Sequence, residues 1–242
     1  HRVDRRQRQM CIRDRMYEKE VRFYNELAAQ TDVRTPKVIY ADYEPETENV
    51  ALLMEYMEGW TSPDQLTGAS HDQTIAAIKQ LTAINAPFWG RTADLPWLPT
   101  MQTDYMQLTI GDMQACKDIF WERFGEVLPV DEKDYALIID QWPAILDGLC
   151  EGTLTFTHYD YRVENIFFSA DASEVAVIDW QLIAALRAGW DLTYLLSTNI
   201  LTEQRRANEQ QYIDLYLHHM AAQGVQYDLS LIHISEPTRR YA

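Results

Sequence analysis

The 242-residue chain has little of what a secreted, membrane-embedded or nucleic-acid-binding protein needs. No run approaches the roughly 20 consecutive apolar residues that a bilayer-spanning helix requires, and the amino terminus lacks the apolar core of a secretory signal. Both absences lead to the expectation of a cytoplasmic protein with no membrane partner. Cysteine is scarce. Cys11, Cys116 and Cys150 are widely spaced and form no C-x-x-C pair, so neither a disulfide framework nor a zinc site is indicated, and the thiols read as buried or inert. His71, His218 and His219 have no ligand-like spacing with other His, Cys or carboxylates. No internal repeat or low-complexity tract is visible. Basic residues are also few, 21 Lys and Arg against 37 Asp and Glu. The resulting charge of −16 argues against a nucleic-acid partner, because phosphate backbones are met by Lys and Arg.

What is present is a hydrophobic content of 47%, enough for a substantial core in one large domain or two lobes. Both ends depart from this interior. Residues 1–15 carry six Arg and two Asp with little periodicity, and residues 230–242 end in Glu236-Pro237-Thr238-Arg239-Arg240. These strings resemble conceptual translations of sequencing-adapter DNA and are read as non-native tails outside the fold. Setting aside their eight Arg, two Asp and one Glu leaves 13 basic against 34 acidic side chains, a net charge of −21. That field is a solvated acidic surface in the plainer reading and a funnel for cationic substrates in the sharper one.

Between the tails the patterning is mixed. Val21, Tyr24, Leu27 and Ala28 recur at helical spacing from Met16, and the helix should stop before Val33-Arg34-Thr35-Pro36. Residues 37–43 and 50–56 read as antiparallel strands joined by the charged turn 44–49. Ser70 or Asp72 is the candidate cap of a helix running through Ile75, Ile78, Leu81 and Ile84 to Asn85, and Pro87 ends it. Residues 90–102 read as an irregular crossing, followed by helices near 105–125, 131–150, 192–200 and 203–223. The seven Trp and fourteen Tyr are mainly core residues. A substrate wall of Trp89, Trp97, Trp121 and Trp142 is the alternative for four of them.

The chemistry concentrates in Thr157-His158-Tyr159-Asp160-Tyr161-Arg162-Val163-Glu164-Asn165 and, fourteen residues on, Asp179 in Ile178-Asp179-Trp180-Gln181. An Asp to meet a substrate hydroxyl, with an Asn and a second Asp to hold Mg²⁺, is the minimal set of a kinase-type phosphoryl-transfer centre. Ile166-Phe167-Phe168 and Val175-Ala176-Val177-Ile178 are short β-prone runs around the polar turn 169–174, so they read as a hairpin with Asn165 and Asp179 flanking its open end. That places an amide oxygen and a carboxylate on one hard cation.

His158-x-Asp160-x-x-x-x-Asn165 with Ile178-Asp179-Trp180 resembles the signature of the aminoglycoside and choline phosphotransferases, relatives of the protein kinases. Asp179-Trp180-Gln181 looks most like the ecdysteroid-kinase-like branch. The resemblance extends through Glu18 to Tyr24, Leu52 to Tyr56, Leu81 to Trp89 and Gly189 to Leu196, about residues 16 to 229 in all. It implies an α+β, protein-kinase-like bilobal fold, with a truncated, β-containing amino-terminal lobe over 16–58 and a mostly helical lobe over 59–229 that carries the catalytic hairpin. It also implies transfer of the ATP γ-phosphoryl group, with Mg²⁺, to the hydroxyl of a small molecule, cationic if the acidic field acts as a funnel. Complete relatives begin with a glycine-rich loop and a strand Lys, for which the residues before Met16 leave no room. The chain is therefore expected to be a fragment with impaired activity.

Residue by residue, the resemblance makes Asp160 the base, Asn165 and Asp179 the metal ligands, and Glu55, Tyr56 and Met57 the hinge whose backbone meets adenine. Arg162 meets the transferring phosphate or forms a scaffold ion pair. His158 organises the loop, and Asp191 holds it through backbone hydrogen bonds. Glu20 occupies the position of a helix Glu that pairs with the strand Lys in relatives; without that Lys, a solvated helix Glu is the equal reading. Two other functions compete: a pseudokinase-like domain that binds nucleotide without turnover, and a metal-dependent hydrolase using His158, Asp160 and Asp179.

Overall fold

A computed structural model describes residues 15–227, without the side chains of residues 104–110. The tails expected at 1–15 and 230–242 lie outside the described residues, Arg15 excepted, as does Cys11. The first helix, α1 (Met16–Arg22), runs on into a π-helical turn (Phe23–Leu27) and a 3-10 turn (Ala28–Gln30). The wide π turn shifts the register by one residue. Phe23 is thereby buried face-on against Trp180, with ring centroids 3.6 Å apart and planes 10° from parallel. Burying an aromatic ring of this size is worth about 3 kcal/mol.

Strands β1 (Val38–Glu44) and β2 (Asn49–Met54) pair antiparallel, Tyr43 opposite Val50 and Ala41 opposite Leu52. Their ribbon is largely exposed. Helix α2 (His71–Asn85) starts at Ser70, which accepts from the Gln73 backbone N–H while the Gln73 side chain accepts from the Ser70 N–H. This reciprocal pair closes a capping box. Its apolar face, Ala77, Ile78, Leu81 and Ile84, is fully buried. Helices α3 (Asp104–Phe124) and α4 (Glu132–Leu149) form an antiparallel pair in which Tyr135 stacks on Phe120 and Trp121. Of the thiols expected to be buried or inert, Cys116 is exposed on α3 and Cys150 is half-buried.

Two small antiparallel sheets then build the site. Strand β3 (Thr155–Thr157) pairs with β6 (Ala184–Leu186), and β4 (Ile166–Phe168) pairs with β5 (Val175–Val177) as the expected hairpin. Asp171 sets the hairpin turn, its carboxylate accepting from Ser169 Oγ at 2.8 Å and from the Ser173 N–H at 3.1 Å. Helices α5 (Gly189–Thr198) and α6 (Thr202–Ala222) complete the chain, α6 lying along α2. The core joins α1, α2, the sheets, α5 and α6 around Phe23, Phe88, Phe156, Tyr161, Trp180, Tyr212 and Tyr216. No helix among the described residues is long and apolar enough to cross a membrane.

Candidate active site

The loop from β3 to β4 and the turn after β5 are tied together by hydrogen bonds through Ile178. The Ile178 N–H donates to the Asn165 carbonyl at 3.0 Å, and His158 Nε2–H donates to the Ile178 carbonyl at 2.9 Å. Asp179 thus follows directly on a residue bonded to both ends of the catalytic loop. His158 is fully buried against Tyr161 and Trp180, and burial drives its pKa down to about 4. A neutral ring turned inwards, with Nε2 committed to a carbonyl, is a structural tie. The ligand trio His158, Asp160 and Asp179 of the hydrolase reading is not assembled.

Tyr159 adopts a left-handed backbone, φ 72°, which costs a non-glycine residue about 1–2 kcal/mol. Three contacts hold it. Its N–H donates to Asp191 Oδ1 at 2.8 Å, its carbonyl accepts from Trp190 Nε1 at 2.9 Å, and its ring stacks on Trp190. Asp191 Oδ2 accepts from the His158 N–H at 2.8 Å, and the nearby Asn85 amide favours the charged form of this carboxylate. Even so, full burial pushes the Asp191 pKa up to about 7.

Asp160 emerges from this scaffold half-buried. Its Oδ2 accepts from Asn165 Nδ2 at 3.1 Å, Arg162 Nε lies 3.7 Å away, and the Tyr194 hydroxyl stands within the field of the carboxylate. Arg162 also pairs with Glu164 at 2.9 Å, so its guanidinium lies beside Asp160 within an ion-pair network. With the Asn165 amide nitrogen committed to Asp160, its amide oxygen is the group left for a cation. Asp179 is left-handed too, φ 66°. Its pKa is raised by burial and then by the charge of Asp160, against the pull of Arg162 and the nearby Gln181 dipoles. Two carboxylates that oppose each other's ionisation, with the Asn165 amide oxygen left over, are donor types that a hard cation such as Mg²⁺ takes beside water and phosphate. Among the described residues, no cluster of three or more His, Cys, Asp or Glu that could hold a metal ion is found, at this site or elsewhere.

Glu20 departs from the solvated alternative. It sits over the Asp179 turn, where burial and then the Asp179 charge raise its pKa to about 7, opposed by the nearby Trp180 N–H dipole. The neighbouring Tyr24 hydroxyl is buried without a partner. Glu55, Tyr56 and Met57 lie at the end of β2. The Glu55 carboxylate accepts from the Lys37 N–H at 2.7 Å, while the Tyr56 side chain projects into solvent at 89% exposure. The following segment is pinned to the hairpin by the Thr61–Phe168 backbone pair and by Ser62 Oγ donating to the Val163 carbonyl. Trp89, Trp97 and Trp121 serve separate packing contacts, with Tyr227, Arg22 and Tyr135 respectively, in place of a shared wall.

Sequence reasoning passed over three site residues: Asn85, Tyr194 and Asn199. Asn199 is fully buried, and its Oδ1 accepts from the Val163 N–H at 3.0 Å, fixing the turn before Asn165. For Asn85 a signal existed, a polar side chain in phase with Ile78 and Leu81 on the buried face of α2.

Comparison with known proteins agrees with this geometry. The family model described as "Phosphotransferase enzyme family" matches residues 12–223. Among solved structures, the GDP complex of aminoglycoside 2'-phosphotransferase-IIIa superposes with a TM-score of 0.57 at 16% identity, covering 93% of this chain and 70% of that one. An aminoglycoside phosphotransferase from Streptomyces rimosus gives 0.51 at 18% identity over 92% and 78%. A macrolide 2'-phosphotransferase from Brachybacterium faecium gives 0.50 at 15% identity over 91% and 68%. No curated protein matches the chain. The likenesses establish a protein-kinase-like, aminoglycoside-phosphotransferase fold, and the ecdysteroid-kinase-like branch stays a resemblance in Asp179-Trp180-Gln181. With 212 consecutive residues under the family model and this catalytic loop, the chain belongs to the phosphotransferase enzyme family.

Proposed function

We propose that the site transfers the γ-phosphoryl group of ATP to a hydroxyl of a small, cationic molecule, with Asp160 as the base. One observation carries this reading. Asp160 is oriented by Asn165 while Asp179, in a left-handed turn, stands within its electrostatic field. Asp160 accepts the proton of the acceptor hydroxyl, or orients that hydroxyl for in-line attack. Asn165 and Asp179 would hold Mg²⁺, which neutralises the charge developing on the phosphates. Arg162 adds positive charge beside the transferred group, and Glu55 to Met57 supply the backbone edge for the nucleotide base. The acidic surface, net −16, raises the local concentration of a cationic acceptor. GDP bound to the aminoglycoside 2'-phosphotransferase-IIIa neighbours makes GTP the donor to test beside ATP.

The test is a mass-spectrometric transfer assay with Mg²⁺ and ATP or GTP on a panel of amino alcohols, aminoglycosides, macrolides, sugars and sterols. Transfer should be abolished by Asp160→Asn and by Asp179→Ala with the circular dichroism spectrum unchanged. Transfer that survives both substitutions would overturn the assignment, and Mg²⁺-dependent nucleotide binding without transfer to any acceptor, in a protein that also carries the glycine-rich loop and strand Lys of complete relatives, would favour the pseudokinase reading.

A further inference from the structure

Behind the catalytic loop lies a chain of buried polar groups that none of the roles above uses. Tyr216 of α6, Asn85 at the end of α2, and Asp191 are all fully buried. The Tyr216 hydroxyl donates to Asn85 Oδ1 at 2.8 Å. Asn85 Nδ2 donates to the Phe156 carbonyl at 3.0 Å, in the strand that leads into the catalytic loop, and its amide lies near enough to the Asp191 carboxylate to favour the charged form. The Asn85 carbonyl accepts from Thr155 Oγ1 at 2.5 Å, so the backbone of Asn85 is fixed to β3 and only the amide plane is left to turn.

A side-chain amide has one acceptor oxygen and two N–H donors. Of the groups around Asn85, the Phe156 carbonyl is an acceptor and Tyr216 supplies the donor. The hydroxyl therefore satisfies Oδ1 and leaves Nδ2 facing its acceptor. Two residues further on, Asp191 receives the backbone N–H groups of His158 and Tyr159. We propose that the Tyr216 hydroxyl is a positioning group of the catalytic loop, setting the Asn85 amide that holds the Phe156 carbonyl of β3 and so anchors the loop entry that Asp191 grips at His158 and Tyr159, just before Asp160. The link to catalysis rests on the phosphotransfer reading above. The link to the loop backbone does not.

The experiment compares Tyr216→Phe with Tyr212→Phe. The second variant deletes a fully buried hydroxyl one turn earlier on the same helix, bonded to His71 and Gln204, with no tie to the loop. Amide hydrogen exchange by NMR in the full chain reads the loop without any need for activity. In Tyr216→Phe the His158 and Tyr159 amides should exchange about tenfold faster, the scale of one lost buried hydrogen bond, and in Tyr212→Phe they should match the parent. Asn85→Ala, a second route to the same loss, should release the same two amides. Where transfer is measurable, Tyr216→Phe should lower kcat about tenfold at unchanged KM, and Tyr212→Phe should leave both unchanged. Unaltered protection in Tyr216→Phe and Asn85→Ala, or equal acceleration in both Tyr→Phe variants, would overturn the proposal. Selective loss of protection in a protein with no detectable transfer would uphold the loop tie and count against the phosphotransfer reading alone.

Discussion

Glu20→Gln tests the electrostatics of the site without requiring turnover. The Glu20 pKa is raised from 4.5 to about 7, first by burial and then by Asp179. Between those two pH values the folded state holds a proton that the unfolded chain has released. Stability therefore falls as pH rises from about 4.5 to 7, and is flat with respect to this group on either side. At 1.36 kcal/mol per pH unit the full effect is about 3 kcal/mol. Glutamine has nearly the shape of the protonated acid and keeps an oxygen for the Trp180 N–H. At pH 4 the substitution should be close to neutral, whereas at pH 8 it should stabilise by about 2–3 kcal/mol. For a protein of this size that is a gain of several degrees in Tm. Urea unfolding of both proteins from pH 4 to 8 in EDTA, followed by near-UV circular dichroism, supplies the comparison. A variant that is less stable than the parent at pH 8, or a difference that does not change with pH, would refute the reasoning. Either result would mean that the carboxylate is solvated or meets a cation.

Two further substitutions test the scaffold. Phe23→Ala removes a fully buried ring stacked on Trp180 and should cost about 3–5 kcal/mol in chemical denaturation, where a loss below about 1 kcal/mol would mean that α1 is not docked as described. Ser70→Ala breaks the reciprocal cap of α2 and should cost about 1 kcal/mol, with Ser70→Gly costing only a few tenths.

The local features of this fold were legible because local chemistry produces them. Ser70 with Gln73 sets where α2 begins, and the polar run Ser169 to Glu174 turns a hairpin whose strands are apolar and β-prone. The order of Asp160, Asn165 and Asp179 made a phosphoryl-transfer centre readable before any geometry. The β3–β6 pairing was not legible, since its strands are three residues long and about thirty residues apart, too short to carry a period of their own. Nor was the π turn at Phe23, which is set by the Trp180 ring across the core and leaves the helical pattern of α1 intact. Glu20 could be read equally as a solvated helix acid because what raises its pKa, burial and then the charge of Asp179, comes from far along the chain. Tertiary partners of that kind leave no spacing signature.

The left-handed turns at Tyr159 and Asp179 bear on how this sequence tolerates directed evolution. Glycine is the residue that takes a positive φ without steric penalty, so at both positions a glycine would relieve about 1 kcal/mol of backbone strain. At Tyr159 that relief is opposed by loss of the ring stacked on Trp190. At Asp179 nothing of the sort stands in the way, because glycine would also abolish a buried carboxylate held against the charge of Asp160. A library screened only for heat resistance is thus driven to discard Asp179, and a screen meant to keep the site must select for ligand binding at the same time.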